Sequence, residues 1–153
     1  MGELLSIGEK APDFTGVDQQ GQPIRLSDFR GKKVILYFYP KDDTPGCTKE
    51  ACNLRDHYQR LQAAGYVVLG VSADDVASHR RFAEKYNLPF SLIADPEKQI
   101  IKAYGAWGIK RMYGKEYEGT QRITYIIDEE GRVQNVITKV KPELHAEQIL
   151  GEA

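Results

Sequence analysis

The sequence carries two cysteines, Cys47 and Cys52, with four residues between them. A thiolate can act as a nucleophile or as a metal ligand, and two thiols can form a redox couple. In a reducing compartment, paired cysteines are more often catalytic or metal-binding than structural. A zinc site would also require His57, but residues spaced by five positions spiral around a helix instead of facing one point. The spacing therefore favours thiol chemistry over zinc binding.

Cys47 is predicted to lie in the first turn of a helix. Thr44 is of a residue type that caps helices, Pro45 suits the first helical position, and the helix is expected to continue to about residue 64. Backbone N–H groups in a first helical turn have no partner within the helix and point toward an anion. A cysteine at this position is therefore stabilised as a thiolate.

The helix N-terminus alone does not make such a thiol fully reactive. An ordinary thiol is only a few per cent ionised at neutral pH, and making it mostly thiolate takes roughly 2.7 kcal/mol. A helix N-terminus contributes about 0.3–1 kcal/mol, at best near 2. We therefore expect a nearby cation, and Arg122 is one candidate among the basic residues. Thr44 would bring a hydroxyl to the mouth of the site, although a plain N-cap role explains this residue as well.

Cys52 cannot bond to Cys47 while the predicted helix is intact. Five residues of α-helix separate the two Cα atoms by roughly 8–9 Å, on nearly opposite sides of the axis. A disulfide requires a separation below about 7 Å. The two cysteines are thus either unconnected thiols, with Cys52 inert on a helix face, or a redox couple that unwinds the first helical turns in order to close.

Alternating strands and helices are predicted to position this segment. Buried strands are expected at residues 34–39, 67–72 and 89–95, each followed by a helix. A hairpin that turns at Gly21 precedes them, and a second hairpin over residues 123–137 and a closing helix over 142–150 follow. This order predicts an α/β, thioredoxin-like fold: a central mixed β-sheet flanked by helices, with an N-terminal β-hairpin.

Composition narrows the class of protein. With 153 residues, 41% apolar and 28% charged, the chain is expected to form a single globular domain over residues 1–153. A net charge of -1 gives no electrostatic reason to expect nucleic acid or an anionic membrane as a partner. No apolar run suits a membrane span, and the N-terminus lacks the apolar stretch of a signal peptide. Gly2 and Ser6 match an acylation motif only loosely. We therefore predict a cytoplasmic protein.

Several other polar residues are assigned structural or solvent-exposed positions. His79 and His145 occur in polar helical stretches and are expected to be solvated. The basic cluster Lys110, Arg111 and Lys115 is expected to lie in a solvated loop.

The segment from Pro40 to Cys52 resembles the active site of peroxiredoxins. Their signature is a proline, three residues, a threonine, two residues and a cysteine, and Pro40, Thr44 and Cys47 match it. The stretches PGCTKEACNLRD and YGAWGIKRMYGKEYEGTQRITYIID are most similar to the bacterioferritin comigratory protein branch, also called peroxiredoxin Q. The resemblance covers essentially the whole chain. Leu54 and Tyr125 replace residues more usual in that branch, and neither is expected to touch the chemistry.

The resemblance implies a thiol-specific peroxidase that reduces hydrogen peroxide and organic hydroperoxides without metal, haem or flavin. It implies that Cys47 is the peroxidatic cysteine, which becomes a sulfenic acid. Cys52 would resolve this sulfenic acid into an intramolecular disulfide, which thioredoxin would then reduce. Members of this branch are more often monomers than decamers, so the resemblance implies a monomer.

The resemblance also implies roles for four further residues. Thr44 would hydrogen-bond to the peroxide oxygens. Arg122 would hold the thiolate and polarise the substrate, which supplies the expected cation. Pro40 would shield the site, and Glu50 would orient the basic residues around it.

Two alternatives remain at this point. A disulfide oxidoreductase acting on proteins is disfavoured, because such enzymes have two residues between their cysteines and this chain has four. A thioredoxin-fold binding or chaperone module with incidental thiols is disfavoured because Pro40, Thr44 and Arg122 are intact. Consumption of peroxide by the reduced protein separates the peroxidase from a binding module.

Overall fold

The computed structural model describes residues 3–152, which form nine β-strands, five α-helices and two short 3-10 turns. Gly2, in the loose acylation motif, lies outside the described residues. The strands are β1 (Thr15–Val17), β2 (Pro23–Arg25), β3 (Lys33–Phe38), β4 (Tyr66–Ser72), β5 (Ser91–Ala94), β6 (Trp107–Met112), β7 (Lys115–Thr120), β8 (Ile123–Ile127) and β9 (Val133–Ile137). The helices are α1 (Pro45–Asp56), α2 (Tyr58–Ala63), α3 (Val76–Tyr86), α4 (Gln99–Ala103) and α5 (His145–Leu150).

Seven strands form one mixed sheet in the order β2-β1-β5-β4-β3-β8-β9. The central strands β3, β4 and β5 are parallel, and the other pairings are antiparallel. Helices lie in the connections between the parallel strands, whereas short hairpins link the antiparallel pairs β1–β2 and β8–β9, as connection lengths require. The predicted mixed sheet with flanking helices and an N-terminal hairpin is confirmed.

The sheet has a hydrophobic core on each face, because side chains alternate along its buried strands. On β3, Leu36 and Phe38 pack in the core that contains α4, whereas Ile35 and Tyr37 pack in the core that contains α1, α2, α3 and α5. Cys47 belongs to this second core. The α1 helix is thus held over the sheet by its buried face.

Strand register brings Arg122 to the start of α1. Phe38, the last residue of β3, pairs with Ile123, the first residue of the antiparallel strand β8. Arg122 therefore lies at the same sheet edge as the loop that leads from β3 into α1. Functional sites in open α/β sheets commonly lie at this carboxyl edge of the parallel strands.

Two sequence-based predictions of secondary structure are wrong. The helix expected to run to residue 64 ends at Asp56, because the backbone of His57 leaves the helical conformation and its ring Nδ1 donates to the carbonyl of Asn53 at 2.8 Å. The expected loop around Lys110 is instead a β6–β7 hairpin, whose turn residues Tyr113 and Gly114 both have positive φ angles, as a tight hairpin turn requires. Among the described residues, no helix has the length and apolar character to cross a membrane.

Candidate active site

Cys47 lies in the first turn of α1 and is almost completely buried. Thr44 precedes the helix with an extended backbone (φ -102°, ψ 157°), Pro45 is the first helical residue, and the Thr44 carbonyl accepts the first helical bond from Thr48 N at 2.8 Å. The Cys47 side chain is 1% exposed. The sequence-based placement of Cys47 at a helix start is confirmed, so its sulfur lies where the free N–H groups of α1 stabilise negative charge.

Arg122 supplies the cation next to this sulfur. Its Nη2 donates to Cys47 Sγ at 3.3 Å, and its Nη1 donates to Glu50 Oε1 at 2.7 Å. The guanidinium passes close to the backbone of α1, since a Cβ atom on Gly46 would lie 3.1 Å from Nη2. A larger residue at Gly46 would therefore push the guanidinium away from the thiol. Burial tends to lower the pKa of Arg122, but the charges of Glu50 and Cys47 raise it overall.

Glu50 lies beneath this pair, one helical turn after Cys47. Its side chain is fully buried, and burial raises its pKa to about 7 although the Arg122 guanidinium opposes the shift. Oε1 accepts from Arg122, whereas Oε2 has no hydrogen-bond partner among the described residues. A buried carboxyl oxygen without a donor disfavours the ionised form.

Thr44 and Pro40 lie on the segment that leads from β3 into α1. The Thr44 hydroxyl donates to the carbonyl of Lys41 at 2.9 Å and does not cap α1. Its oxygen therefore keeps lone pairs that can accept a hydrogen bond. Pro40 is half-buried and directly follows Tyr39 at the end of the β3 segment.

The loop between β3 and α1 is anchored to α3 by buried polar side chains. Asp42 Oδ2 contacts His79 Nδ1 at 2.7 Å and accepts from Ser78 Oγ at 2.8 Å. His79 Nε2 donates to the carbonyl of Ile93 at 3.0 Å. The expectation that His79 is solvated is wrong, because its ring is completely buried. This anchor fixes the segment from which Thr44 and Cys47 project.

Metal-ligand geometry occurs at this anchor and not at the cysteines. In the described part of the chain, Asp42, Asp74 and His79 are the group whose ligand atoms lie within 4.8 Å of one another. Asp74 Oδ2 already accepts from Asp42 N at 2.9 Å and from Ser72 Oγ at 2.6 Å. These hydrogen bonds account for the cluster as part of the loop anchor.

Three residues that the sequence analysis did not assign to the site complete its surroundings. His145 is fully buried, so its predicted solvation is wrong, and its Nε2 lies 3.5 Å from Glu50 Oε2. Lys110, from the β6–β7 hairpin, donates to the carbonyl of Thr120 at 3.0 Å, and burial followed by the charge of Arg122 lowers its pKa. Tyr37 is buried next to Glu50 and Cys47, and burial together with these charges raises its pKa.

Cys52 has different surroundings from Cys47, although both lie on α1. Its side chain is half-buried, and the burial raises the pKa of the thiol. Both cysteines are free, with the helix continuous between them. A buried thiol with a guanidinium at 3.3 Å and a second thiol on the same helix define a thiol-based redox protein.

Comparison with known proteins gives the family. Residues 7–136 match the AhpC/TSA family. The chain is 50% identical to a Coxiella burnetii protein named as a peroxiredoxin of the bcp type, over 96% of this chain and 97% of that protein. It is 44% identical to the Bacillus subtilis peroxiredoxin Bcp, over 95% and 93% of the two chains.

Solved structures give the same result. A cysteine-to-serine mutant of Xylella fastidiosa PrxQ superposes with a TM-score of 0.91 at 30% identity, covering 99% of this chain and 96% of that one. The bacterioferritin comigratory protein of Xanthomonas campestris superposes with a TM-score of 0.88 at 33% identity, covering 95% and 96%. The thioredoxin-like fold expected from the sequence is confirmed.

The chain belongs to the AhpC/TSA family, within its Bcp or PrxQ peroxiredoxins. It is a thiol-dependent peroxidase, with a hydroperoxide as substrate and a thiol as reductant. The peroxidase interpretation of the sequence is therefore confirmed over the disulfide oxidoreductase and the binding module.

Proposed function

We propose that Cys47 is the peroxidatic cysteine of this enzyme. The contact of 3.3 Å between Arg122 Nη2 and Cys47 Sγ carries the proposal, because it adds a fixed cation to the helix N-terminus at one thiol. The thiolate attacks one oxygen of the hydroperoxide, an S–O bond forms, and the O–O bond breaks. Cys47 becomes a sulfenic acid, and water or an alcohol leaves.

Arg122 and Thr44 act on the oxygens during this step. The guanidinium stabilises the thiolate before attack and the negative charge on the leaving oxygen during it. The Thr44 hydroxyl exchanges hydrogen bonds with the peroxide. Pro40 shields the thiol from bulk water, and Glu50 orients Arg122 through the bond of 2.7 Å between Oε1 and Nη1.

Cys52 resolves the sulfenic acid in the second step. Its thiol attacks the Cys47 sulfur, a disulfide forms, and water leaves. Because α1 is continuous over both residues, its first turns must unwind before the sulfurs meet. Local unfolding of α1 is therefore part of the catalytic cycle.

Thioredoxin is proposed as the reductant, acting on a cytoplasmic monomer that forms one domain over residues 1–153. A half-buried Cys52 supports this, since an external dithiol must reach one sulfur of the disulfide. Substrates are hydrogen peroxide and organic hydroperoxides. The Xanthomonas campestris relative, described by its alkyl peroxide reduction activity, supports the organic class.

Rapid-mixing kinetics with matched variants test the proposal. Reduced protein is mixed with hydrogen peroxide or an alkyl hydroperoxide, and then with thioredoxin, thioredoxin reductase and NADPH. Cys47→Ser is expected to consume no peroxide above buffer. Cys52→Ser is expected to consume one equivalent and then stop. Normal cycling of Cys52→Ser with thioredoxin would remove Cys52 from the resolving role, and peroxide consumption by Cys47→Ser would remove Cys47 from the first step.

A further inference from the structure

Arg122 is one cation shared by two acidic groups. Its Nη2 faces the Cys47 thiol and its Nη1 faces the Glu50 carboxyl, at 3.3 and 2.7 Å. If both groups were ionised, two buried negative charges would share one positive charge. Burying an unbalanced charge is costly, so ionisation of one group opposes ionisation of the other.

The surroundings of Glu50 Oε2, the second carboxyl oxygen, suit a protonated carboxyl better than a carboxylate. Oε2 lacks a hydrogen-bond donor among the described residues, and His145 Nε2 lies 3.5 Å from it. The protonation of this nitrogen decides which form of Glu50 is stabilised. An N–H at Nε2 would stabilise the carboxylate, and a lone pair would not.

The Gln148 amide fixes the tautomer of His145. Gln148 Nε2 donates to the carbonyl of Lys139 at 3.0 Å, and Gln148 Oε1 accepts from Lys141 N at 2.9 Å. This orientation places Oε1 toward His145 Nδ1 at 3.0 Å, so Nδ1 carries the hydrogen. Burial lowers the pKa of His145 to about 4, so the ring is neutral at pH 7. Nε2 therefore presents a lone pair.

That lone pair accepts a hydrogen bond from Thr124 Oγ1 at 2.8 Å and offers no N–H to Glu50. A protonated carboxyl can direct its O–H from Oε2 toward Nε2 in competition with Thr124, whereas a carboxylate would set its own lone pair against that of Nε2. Two other titratable groups face this cluster: Tyr37 from β3 is adjacent to Glu50, and Lys110 from β6 faces Arg122 and Cys47. Neither donates to Oε2.

We propose that Glu50 stores the proton that thiolate formation releases, and that His145 is the positioning residue that keeps Glu50 able to hold it. This inference rests on the proposed function. Before peroxide binds, a proton passes from the Cys47 thiol to the Glu50 carboxylate. During attack, the S–O bond forms, the O–O bond breaks, the leaving oxygen gains a proton, and Glu50 ends ionised as the remaining counterion of Arg122. The net charge of the site is the same before and after.

Infrared difference spectroscopy of the full chain tests this proton balance. At neutral pH, the reduced wild type and reduced Cys52→Ser are both expected to show the C=O stretch of a protonated carboxylic acid. In Cys52→Ser, where oxidation stops at the Cys47 sulfenic acid and α1 stays wound, this band should disappear when one equivalent of hydrogen peroxide is added. Glu50→Gln should lack this difference band. Asp95→Asn, which removes another buried carboxyl outside the Cys47 cluster, should retain it. A wild-type spectrum without the band, or a band that persists in Glu50→Gln, would overturn the proposal.

Two variants test His145 in opposite directions. His145→Gln introduces an amide that can donate to Oε2 and stabilise the Glu50 carboxylate, so the band should be lost at neutral pH. Thr124→Val removes the competing donor to Nε2 without changing side-chain shape, so the band should persist to higher pH than in the wild type. A band with the same pH dependence in Thr124→Val and the wild type contradicts the positioning role, even if His145→Gln does not fold.

Mass analysis of the same samples separates this inference from the proposed function. If peroxide leaves Cys47 unmodified, the proposed function fails together with the inference. If Cys47 is oxidised while no carboxyl band changes, the proton store alone is wrong.

Discussion

The two halves of α1 carry the same residue type in opposite surroundings. At one end, Cys47 is buried against the sheet with Arg122 at 3.3 Å and the free N–H groups of the helix around it. In the second half of the helix, Cys52 is half-buried, and its neighbour Asn53 is bound to the C-terminal segment. Nucleophilicity is therefore a property of the surroundings, since both residues supply an identical thiol.

The comparison also shows where the enzyme must be rigid and where it must move. The Cys47 end gains its chemistry from fixed contacts to Arg122 and Glu50. In the proposed cycle, closure of the disulfide between Cys47 and Cys52 needs the turns between them to unwind, which breaks those contacts. The contacts that favour the first step therefore oppose the second, and their balance sets how long the sulfenic acid survives.

Of the changes that test this comparison, removal of the Arg122 cation should have the largest effect, which is on the rate of Cys47 oxidation. Arg122→Gln keeps a hydrogen-bond donor but removes the positive charge, so the first oxidation should slow by about 10²–10³-fold, the range expected when a preorganised group that stabilises transition-state charge is lost. Stopped-flow oxidation by hydrogen peroxide measures the rate. Arg111→Gln, on the exposed hairpin and paired with Glu116, is the matched control and should oxidise at the wild-type rate. A slowdown of less than about threefold would contradict the proposed role of Arg122 in stabilising the thiolate and the leaving oxygen.

Burial of the Glu50 carboxyl should appear in the pH dependence of stability. The pKa of Glu50 is raised to about 7 in the folded protein, against about 4.3 in an unfolded chain. Between these values the folded state binds more protons, so this residue lowers the free energy of unfolding as pH rises, by up to about 3 kcal/mol. Urea unfolding of the reduced wild type and of Glu50→Gln should give a difference that moves in favour of the variant from pH 4.5 to pH 7. A difference that is constant with pH would be inconsistent with a buried carboxyl at this end of α1.

Removal of the hydrogen bonds next to Cys52 should have a smaller effect, which is on the rate of disulfide closure. Asn53 Nδ2 donates to Glu143 O at 3.0 Å and to Glu147 Oε1 at 2.9 Å, and Asn53 Oδ1 accepts from Ala146 N at 2.6 Å. Each such bond contributes about 0.5–1.5 kcal/mol. Asn53→Ala should therefore ease unwinding and speed disulfide closure up to about tenfold, at some cost in global stability.

Quenched mass spectrometry of the sulfenic acid and the disulfide measures this closure. Lys49→Ala, on the exposed face of α1, is the control and should close at the wild-type rate. Slower or unchanged closure in Asn53→Ala would show that the C-terminal contacts do not limit unwinding.

The sequence predicts the parts of the site that depend on local chemistry. A threonine and a proline before Cys47 indicate the helix start, and the position of Arg122 before a strand makes it a candidate cation. His145 was missed because its burial depends on tertiary contact: Thr124, its hydroxyl partner, lies 21 positions earlier, on β8. A histidine in a polar stretch has no local signal of such burial.

The β6–β7 hairpin illustrates a signal that is present but weak. Its strands are rich in charged residues, which favours a loop on composition. The Tyr113–Gly114 pair at its centre is the available clue, because glycine readily adopts the positive φ that a tight turn requires. The break at His57 lacks even this clue, since neither proline nor glycine marks it.

The most direct test of the two-cysteine account is the intact mass of the reduced protein after one equivalent of hydrogen peroxide, with peptide mapping of the product. The account predicts the loss of two hydrogens and a peptide in which Cys47 is linked to Cys52. A gain of one oxygen on Cys47, with Cys52 still a free thiol, would contradict the resolving step and the unwinding of α1. An unchanged mass would contradict the assignment of Cys47 itself.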